Sequence, residues 1–300
     1  MSLGLTSPQE RRRDSSGSTL FVLGQVFVAA GLTLLLFVAF EVFGTALIQQ
    51  RHQAELRSHL LPVLHDPSET RAVGGPLATA PPHPAPPAGT PVAIISIPRI
   101  GLDMVVVEGT SQASLELGPG HYERTPLPGG AGNVAIAGHR TTWARPFYNL
   151  DQLRPGDPIT LTSPQGTFTY RTRASKVVDP SDVDVLAPTA HPTLTLTTCN
   201  PRFSASQRLV VEARLVRSSL TPSALVTFPS PRSEVTTLVP SSPVPAILLG
   251  LLSLLLVGGT IAVATRSTRR WVVWTTGGVL SMIALLATFF VASPLLPANL

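Results

Sequence analysis

Three uncharged apolar runs, Leu20 to Phe40, Val244 to Ala264 and Val272 to Ala292, constrain this chain more than any other feature. Each is close to the roughly 20 residues a helix needs to cross the hydrocarbon layer. Left in water, such surfaces would be strongly unfavourable. They predict one N-terminal transmembrane helix and a C-terminal pair joined as a helical hairpin. Arg11, Arg12 and Arg13 precede the first run, and Arg266, Arg269 and Arg270 fill the link between the other two. These six arginines exceed the whole formal net charge of +5, so the rest of the chain is close to balanced. Arginine collects in cytoplasmic loops. The basic excess therefore reads as membrane topology and not as a nucleic-acid footprint. Trp271 and Trp274, at the turn of the hairpin, suit a membrane interface.

Between the runs the composition changes twice. Residues 1–19 are polar and basic, as expected of a cytoplasmic tail, and 20–48 reads as the transmembrane anchor. A cleaved signal peptide is the alternative, but its apolar core would be shorter, about 7–15 residues. Residues 49–90 read as a linker, with Gln49 to Leu61 able to extend the anchor helix. Its later part is rich in proline, as in Ala80-Pro-Pro-His-Pro-Ala-Pro-Pro-Ala, a composition that gives extended, semi-rigid spacers. Residues 91–217 read as the folded domain, 218–243 as a second linker, 244–292 as the transmembrane hairpin and 293–300 as a tail.

The folded domain is predicted to be mainly β. Val92 to Ile97, Asp103 to Val107, Asn133 to Ala137, Pro158 to Thr162 and Thr167 to Arg173 have strand character, as do Thr193 to Thr198 and the run from Arg208. Pro128-Gly-Gly, Arg154-Pro-Gly-Asp and Ser163-Pro-Gln-Gly punctuate them. Ser111 to Leu117 and Pro146 to Leu153 are each long enough for a turn or two of helix. Many short strands with regular turns suggest a closed or nearly closed barrel.

The chemistry concentrates at Thr193-Leu-Thr-Leu-Thr-Thr-Cys199, which holds the only cysteine of the chain. Asn200-Pro201 should break the ladder, because proline lacks an amide hydrogen. Cys199 is then expected at a strand end, with Arg208 beside it at the head of the returning strand. A lone cysteine is most often a small buried hydrophobe. Two observations argue otherwise here: the segment is expected outside the membrane, and a cation near a thiol favours the thiolate. His139 emerges where Asn133 to Ala137 gives out at Gly138, and imidazole can exchange protons at working pH. His121, in a Gly-Pro-Gly-His-Tyr turn, and His191, in a proline-rich approach, read as ordinary loop histidines. A metal site built from His121, His139, His191 and Cys199 lacks ligand spacing, and no metal or other cofactor is expected.

Thr195-Leu-Thr-Thr-Cys199 resembles the TLxTC signature of sortases, the cysteine transpeptidases of Gram-positive surfaces. Arg208 follows nine positions later, and Gly120-His121-Tyr122, Leu127-Pro-Gly129 and Ala137-Gly-His139-Arg140 resemble sortase segments in the same order. The run from Cys199 to Leu209 is most similar to class E sortases of high-GC actinobacteria. The resemblance implies an eight-stranded β-barrel with short helices. It implies Cys199 as nucleophile, His139 as acid and base, Arg208 as stabiliser of the oxyanion, and Thr198 as a residue that meets substrate. The implied substrates are secreted proteins with a C-terminal LAxTG or LPxTG sorting motif. The chain would be cut between Thr and Gly through a thioacyl intermediate and passed to an amine of peptidoglycan precursor. The C-terminal hairpin departs from the single anchor usual in that class.

Other readings are an L,D-transpeptidase-like wall enzyme, a papain-like hydrolase, or a membrane-tethered barrel that only binds. In the first, histidine and cysteine lie a few residues apart; here sixty positions separate His139 from Cys199. In the second, cysteine usually precedes histidine. A binding module has no need of the His, Cys and Arg set.

Overall fold

The computed structural model describes residues 45–64, 79–221, 228–229, 244–266 and 270–292, with isolated helical positions between 27 and 40. The expected tails at 1–19 and 293–300, and most of the anchor at 20–48, lie outside the described residues. Helix α1 spans Thr45–Leu64. The barrel strands are β1 (Pro91–Ile97), β2 (Leu102–Glu108), β3 (Gly120–His121), β4 (Asn133–Ala137), β5 (Pro158–Ser163), β6 (Gly166–Val178), β7 (Thr193–Asn200) and β8 (Gln207–Leu220). Helix α2 (Gln112–Leu117) lies between β2 and β3, and α3 (Val244–Arg266) and α4 (Arg270–Ala292) follow the barrel.

The strands close in the order β1-β2-β3-β4-β7-β8-β6-β5. Pairing is antiparallel except at β2–β3 and β4–β7, which run parallel. Alternation along each strand supplies the core. Ile95 and Ile97 of β1, Val134 and Ile136 of β4, and Leu194 and Leu196 of β7 are all fully buried. The strand character read from sequence accounts for seven of the eight strands. The eighth, β3, has two residues and no alternation to read. The Ser111 to Leu117 segment forms α2, with the Ser111 hydroxyl accepting from the Ser114 N–H (3.2 Å). Pro146 to Leu153 contains a single 3-10 turn at Leu150–Gln152.

The threonines of β7 are explained by their neighbours. Thr195 and Thr197 share the face opposite the core leucines, where the Thr195 hydroxyl donates to Asn133 Oδ1 (2.7 Å). Thr197 Oγ1 meets the Tyr122 hydroxyl (3.0 Å). Both are buried with their polar atoms paired, which removes most of the desolvation cost.

Helix α1 lies against the barrel instead of running free. Gln53 Nε2 donates to the carbonyls of Leu117 (2.8 Å) and Val105 (3.0 Å), and Gln53 Oε1 accepts from the Val105 N–H (2.6 Å). β3 pairs with β2 only at Val107 and Glu108, so Val105 is unpaired on that side. The Gln53 carboxamide supplies the donor and acceptor that a neighbouring strand would have offered. Arg57 pairs with Asp103 one turn further along.

Helices α3 and α4 pack as a pair. Ser253 Oγ meets Thr288 Oγ1 (3.1 Å), and a Cβ at Gly277 would lie 2.3 Å from Thr260 Oγ1, an approach only glycine permits. Among the described residues no helix is long and apolar enough to cross a membrane.

Candidate active site

The site lies where β4 and β7 end side by side. Their parallel register runs from Asn133 opposite Thr193 to Ala137 opposite Thr197. Two residues beyond that last pair stand Cys199, still within β7, and His139, just past the end of β4, sixty positions apart in sequence. The turn between them is fastened twice. The Gly138 N–H donates to the Thr197 carbonyl (3.1 Å), and the Thr198 hydroxyl donates to the Gly138 carbonyl (2.7 Å). Thr198 is buried, so its hydroxyl is already committed to holding the His139 turn. A Cβ at Gly138 would lie 2.6 Å from the ring of Phe147. Glycine is therefore required where the strand stops and His139 begins.

Cys199 has its side chain on the face shared with Thr195 and Thr197, is partly exposed, and is unpaired. Arg208 is its direct partner across the β7–β8 ladder. Arg208 Nη1 lies 3.7 Å from Cys199 Sγ and also donates to the carbonyls of Ala205 and Gln207, each at 3.3 Å. The expected juxtaposition of thiol and cation thus follows from simple antiparallel register. The strand includes Cys199 and ends one residue later, at Asn200, before Pro201.

His139 is 5% exposed. Burial lowers its pKa from 6.5 to about 4, because the charged ring cannot be solvated there. The ring is therefore neutral at pH 7. Its Nε2 atom is buried and has no hydrogen-bond partner among the described residues, leaving one ring nitrogen available to a proton-bearing group.

Residues not singled out from sequence complete the site. Arg140, also 5% exposed, donates through Nη1 to the Cys199 carbonyl (3.1 Å) and to Asn200 Oδ1 (2.6 Å). Its Nη2 pairs with Asp151 (3.2 Å), and both Asp151 oxygens also accept from Arg202 Nη2 (3.0 Å each). Burial lowers the Arg140 pKa, and Asp151 opposes that shift. The Arg202 guanidinium lies over the Tyr148 ring, 4.5 Å from its centre, a favourable stacking of cation on aromatic face. Trp143, Ala144 and Arg145, in the loop after His139, all have positive φ (49°, 51° and 44°). Left-handed backbone costs a non-glycine residue roughly 1–2 kcal/mol, so this loop is held by its surroundings against its own preference. The only sequence sign of this network was that Arg140 adjoins His139.

His121 requires a correction. It is not an ordinary loop histidine but a fully buried member of β3. Its Nδ1 lies 2.9 Å from Glu108 Oε2 and its Nε2 2.9 Å from the Pro126 carbonyl. Glu108, thirteen residues earlier, becomes its neighbour only because β2 and β3 pair in parallel. His191 is exposed in the approach to β7. Among the described residues no group of His, Cys, Asp or Glu is placed to hold a metal ion.

Comparison with known proteins adds to this geometry. A family profile for the sortase domain matches residues 95–216, which take in all of the barrel but the outer ends of β1 and β8, and include His139, Cys199 and Arg208. Residues 95–216 are a sortase domain. Sortase SrtE1 of Streptomyces coelicolor is 30% identical over 68% of this chain and 60% of its own length. Sortase SrtE2 of the same organism is 29% identical over 71% of this chain and 89% of its own length. The solved structure of sortase E from Streptomyces avermitilis is 38% identical, covering 46% of this chain and 99% of that one, with a TM-score of 0.41. The chain thus spans about three fifths of SrtE1. Sortases are cysteine transpeptidases, and this sortase domain carries a single cysteine, Cys199, at the place just described.

Proposed function

We propose that this chain is a membrane-tethered class E sortase that cuts the Thr–Gly bond of an LAxTG- or LPxTG-type sorting motif and transfers the protein to a cell-wall amine. The observation that carries the reading is the convergence of Cys199, Arg208 and His139 at the shared end of β4, β7 and β8. The Cys199 sulfur attacks the threonine carbonyl carbon, and the carbonyl oxygen takes the negative charge. Among the described residues Arg208 makes its hydrogen bonds only through Nη1, so the rest of its fork is free to meet that oxygen. A single well-placed donor of this kind is worth roughly 3–4 kcal/mol of barrier. His139 is neutral at rest, so the proton it delivers to the departing glycine amine is the one it takes from the thiol. The C–N bond breaks and a thioester to Cys199 remains. An incoming amine then attacks the thioester and gives its proton to His139, and the sulfur leaves as the amide forms. Thr198, buried next to Cys199, would serve the bound motif indirectly, through the Gly138 turn that its hydroxyl holds. The chemistry requires no metal or other cofactor.

The tether rests on the three apolar runs and the two arginine clusters. The N-terminus and the Arg266 to Arg270 loop would be cytoplasmic, with the barrel and the chain beyond α4 outside. Large apolar side chains such as Leu254 and Leu255 of α3, 69% and 73% exposed, support the reading, since lipid satisfies them and water does not. The substrates would be secreted proteins bearing C-terminal sorting signals, and the acceptor an amine of peptidoglycan precursor. Mass spectrometry of the protein mixed with LAxTG and LPxTG peptides and candidate amines tests the function. The expected result is a thioacyl adduct and a ligated product, both absent in Cys199→Ala. Product formation by Cys199→Ala, or no adduct with either motif, would overturn the reading.

A further inference from the structure

The parallel ladder between β4 and β7 stops short of the nucleophile. Its last rung is the Gly138 N–H donating to the Thr197 carbonyl. In a parallel ladder the donors alternate between the two strands: the Cys199 N–H would next meet the Gly138 carbonyl, which here accepts from the Thr198 hydroxyl instead, and the rung after that would bring the Arg140 N–H to the Cys199 carbonyl. The chain turns away instead, and the His139 carbonyl accepts from the Phe147 N–H (3.1 Å). The missing rung is made by the Arg140 side chain, whose Nη1 donates to that same Cys199 carbonyl and to Asn200 Oδ1.

We infer that Arg140 is a positioning residue that replaces the lost rung, so that the His139 backbone can leave the sheet while the Cys199 end of β7 stays fixed against it. Without the guanidinium, either the ladder continues and His139 is held flat in it, or Cys199 loses its support on the β4 side. The brace continues past Arg140. Asp151 accepts from Arg140 and from Arg202, and Arg202 donates through Nε to the Tyr148 carbonyl (3.3 Å). The loop that follows His139 is thereby tied to the turn that follows Cys199. A buried cation is costly unless its partners are well placed. Arg140 accepts that cost at the two atoms that locate the thiol.

This inference rests on the sortase reading for its catalytic readout but not for its chemical one. The test uses the full-length protein in detergent, with Arg140→Gln and Asp151→Asn. Peptide turnover and the rate of Cys199 alkylation by iodoacetamide are each followed across pH. For Arg140→Gln, kcat should fall at least about tenfold, the scale expected when reacting groups are displaced by a fraction of an ångström. KM should stay within about threefold, since Arg140 does not touch substrate. The alkylation rate and its pH profile should change in the same variant. Asp151, a partly exposed side chain, gives a variant that keeps the fold, and Asp151→Asn should show smaller changes of the same kind. Wild-type kcat and alkylation in both variants would overturn the inference, as would a loss carried mainly by KM. If the wild-type protein turns over no peptide, the sortase reading fails, and the alkylation profiles alone still decide the role of Arg140.

Discussion

Replacing His139 by asparagine should make the barrel less sensitive to acid, and the size of that effect follows from the burial of the ring. In the unfolded chain His139 titrates near its ordinary 6.5, whereas in the fold it titrates at about 4. Above pH 6.5 both states leave the ring neutral, and its contribution to stability is fully present. As pH falls below 6.5 only the unfolded chain takes up the proton, so stability drains until the folded ring also titrates near 4. The whole gap is worth about 3 kcal/mol, of which about 2 kcal/mol is lost between pH 7 and pH 5. His139→Asn removes this titration alone. Urea denaturation of residues 45–221, followed by the fluorescence of Trp143, gives the stability of both proteins at each pH. The wild-type protein should lose about 2 kcal/mol more than His139→Asn between pH 7 and pH 5. Parallel losses in the two proteins would refute the argument that His139 is held neutral by burial.

Three further outcomes are expected. Arg208→Lys should lose at least about tenfold in kcat/KM although the charge is kept, because an ammonium cannot reproduce a planar fork that spans the thiol and an oxyanion; near wild-type turnover would show that charge alone suffices. Gln53→Ala leaves the Val105 N–H and the Leu117 carbonyl without the partners α1 supplies, and should lower unfolding stability by about 2 kcal/mol, read in the same urea titration; an unchanged midpoint would mean that α1 is not held to the barrel by this carboxamide. For the tether, cysteines placed singly at position 85, exposed ahead of β1, and at position 267 in a Cys199→Ala background should react differently with a membrane-impermeant thiol reagent on whole cells, 85 labelling and 267 remaining protected until the membrane is opened, and the reverse pattern would invert the topology.

Seven of the eight strands, the junction of Cys199 with Asn200-Pro201 and the placement of Arg208 beside the thiol were legible in the amino-acid order. Each depends on local periodicity or on an antiparallel return of a few residues, and such features are written within a single window of sequence. The three apolar runs are legible for the same reason. The partnership of His139 with Cys199 came from resemblance alone, since only the parallel pairing of β4 with β7 brings together strand ends sixty positions apart. The same holds for Glu108 with His121, for Gln53 with Val105 and for Arg140 with the Cys199 carbonyl. No periodicity announces these contacts, because they join segments that meet only when the barrel closes. Burial decided the rest. Whether a histidine is an ordinary loop residue, a buried partner like His121 or a desolvated ring like His139 depends on what packs over it, and that is a property of the tertiary structure and not of neighbours in sequence.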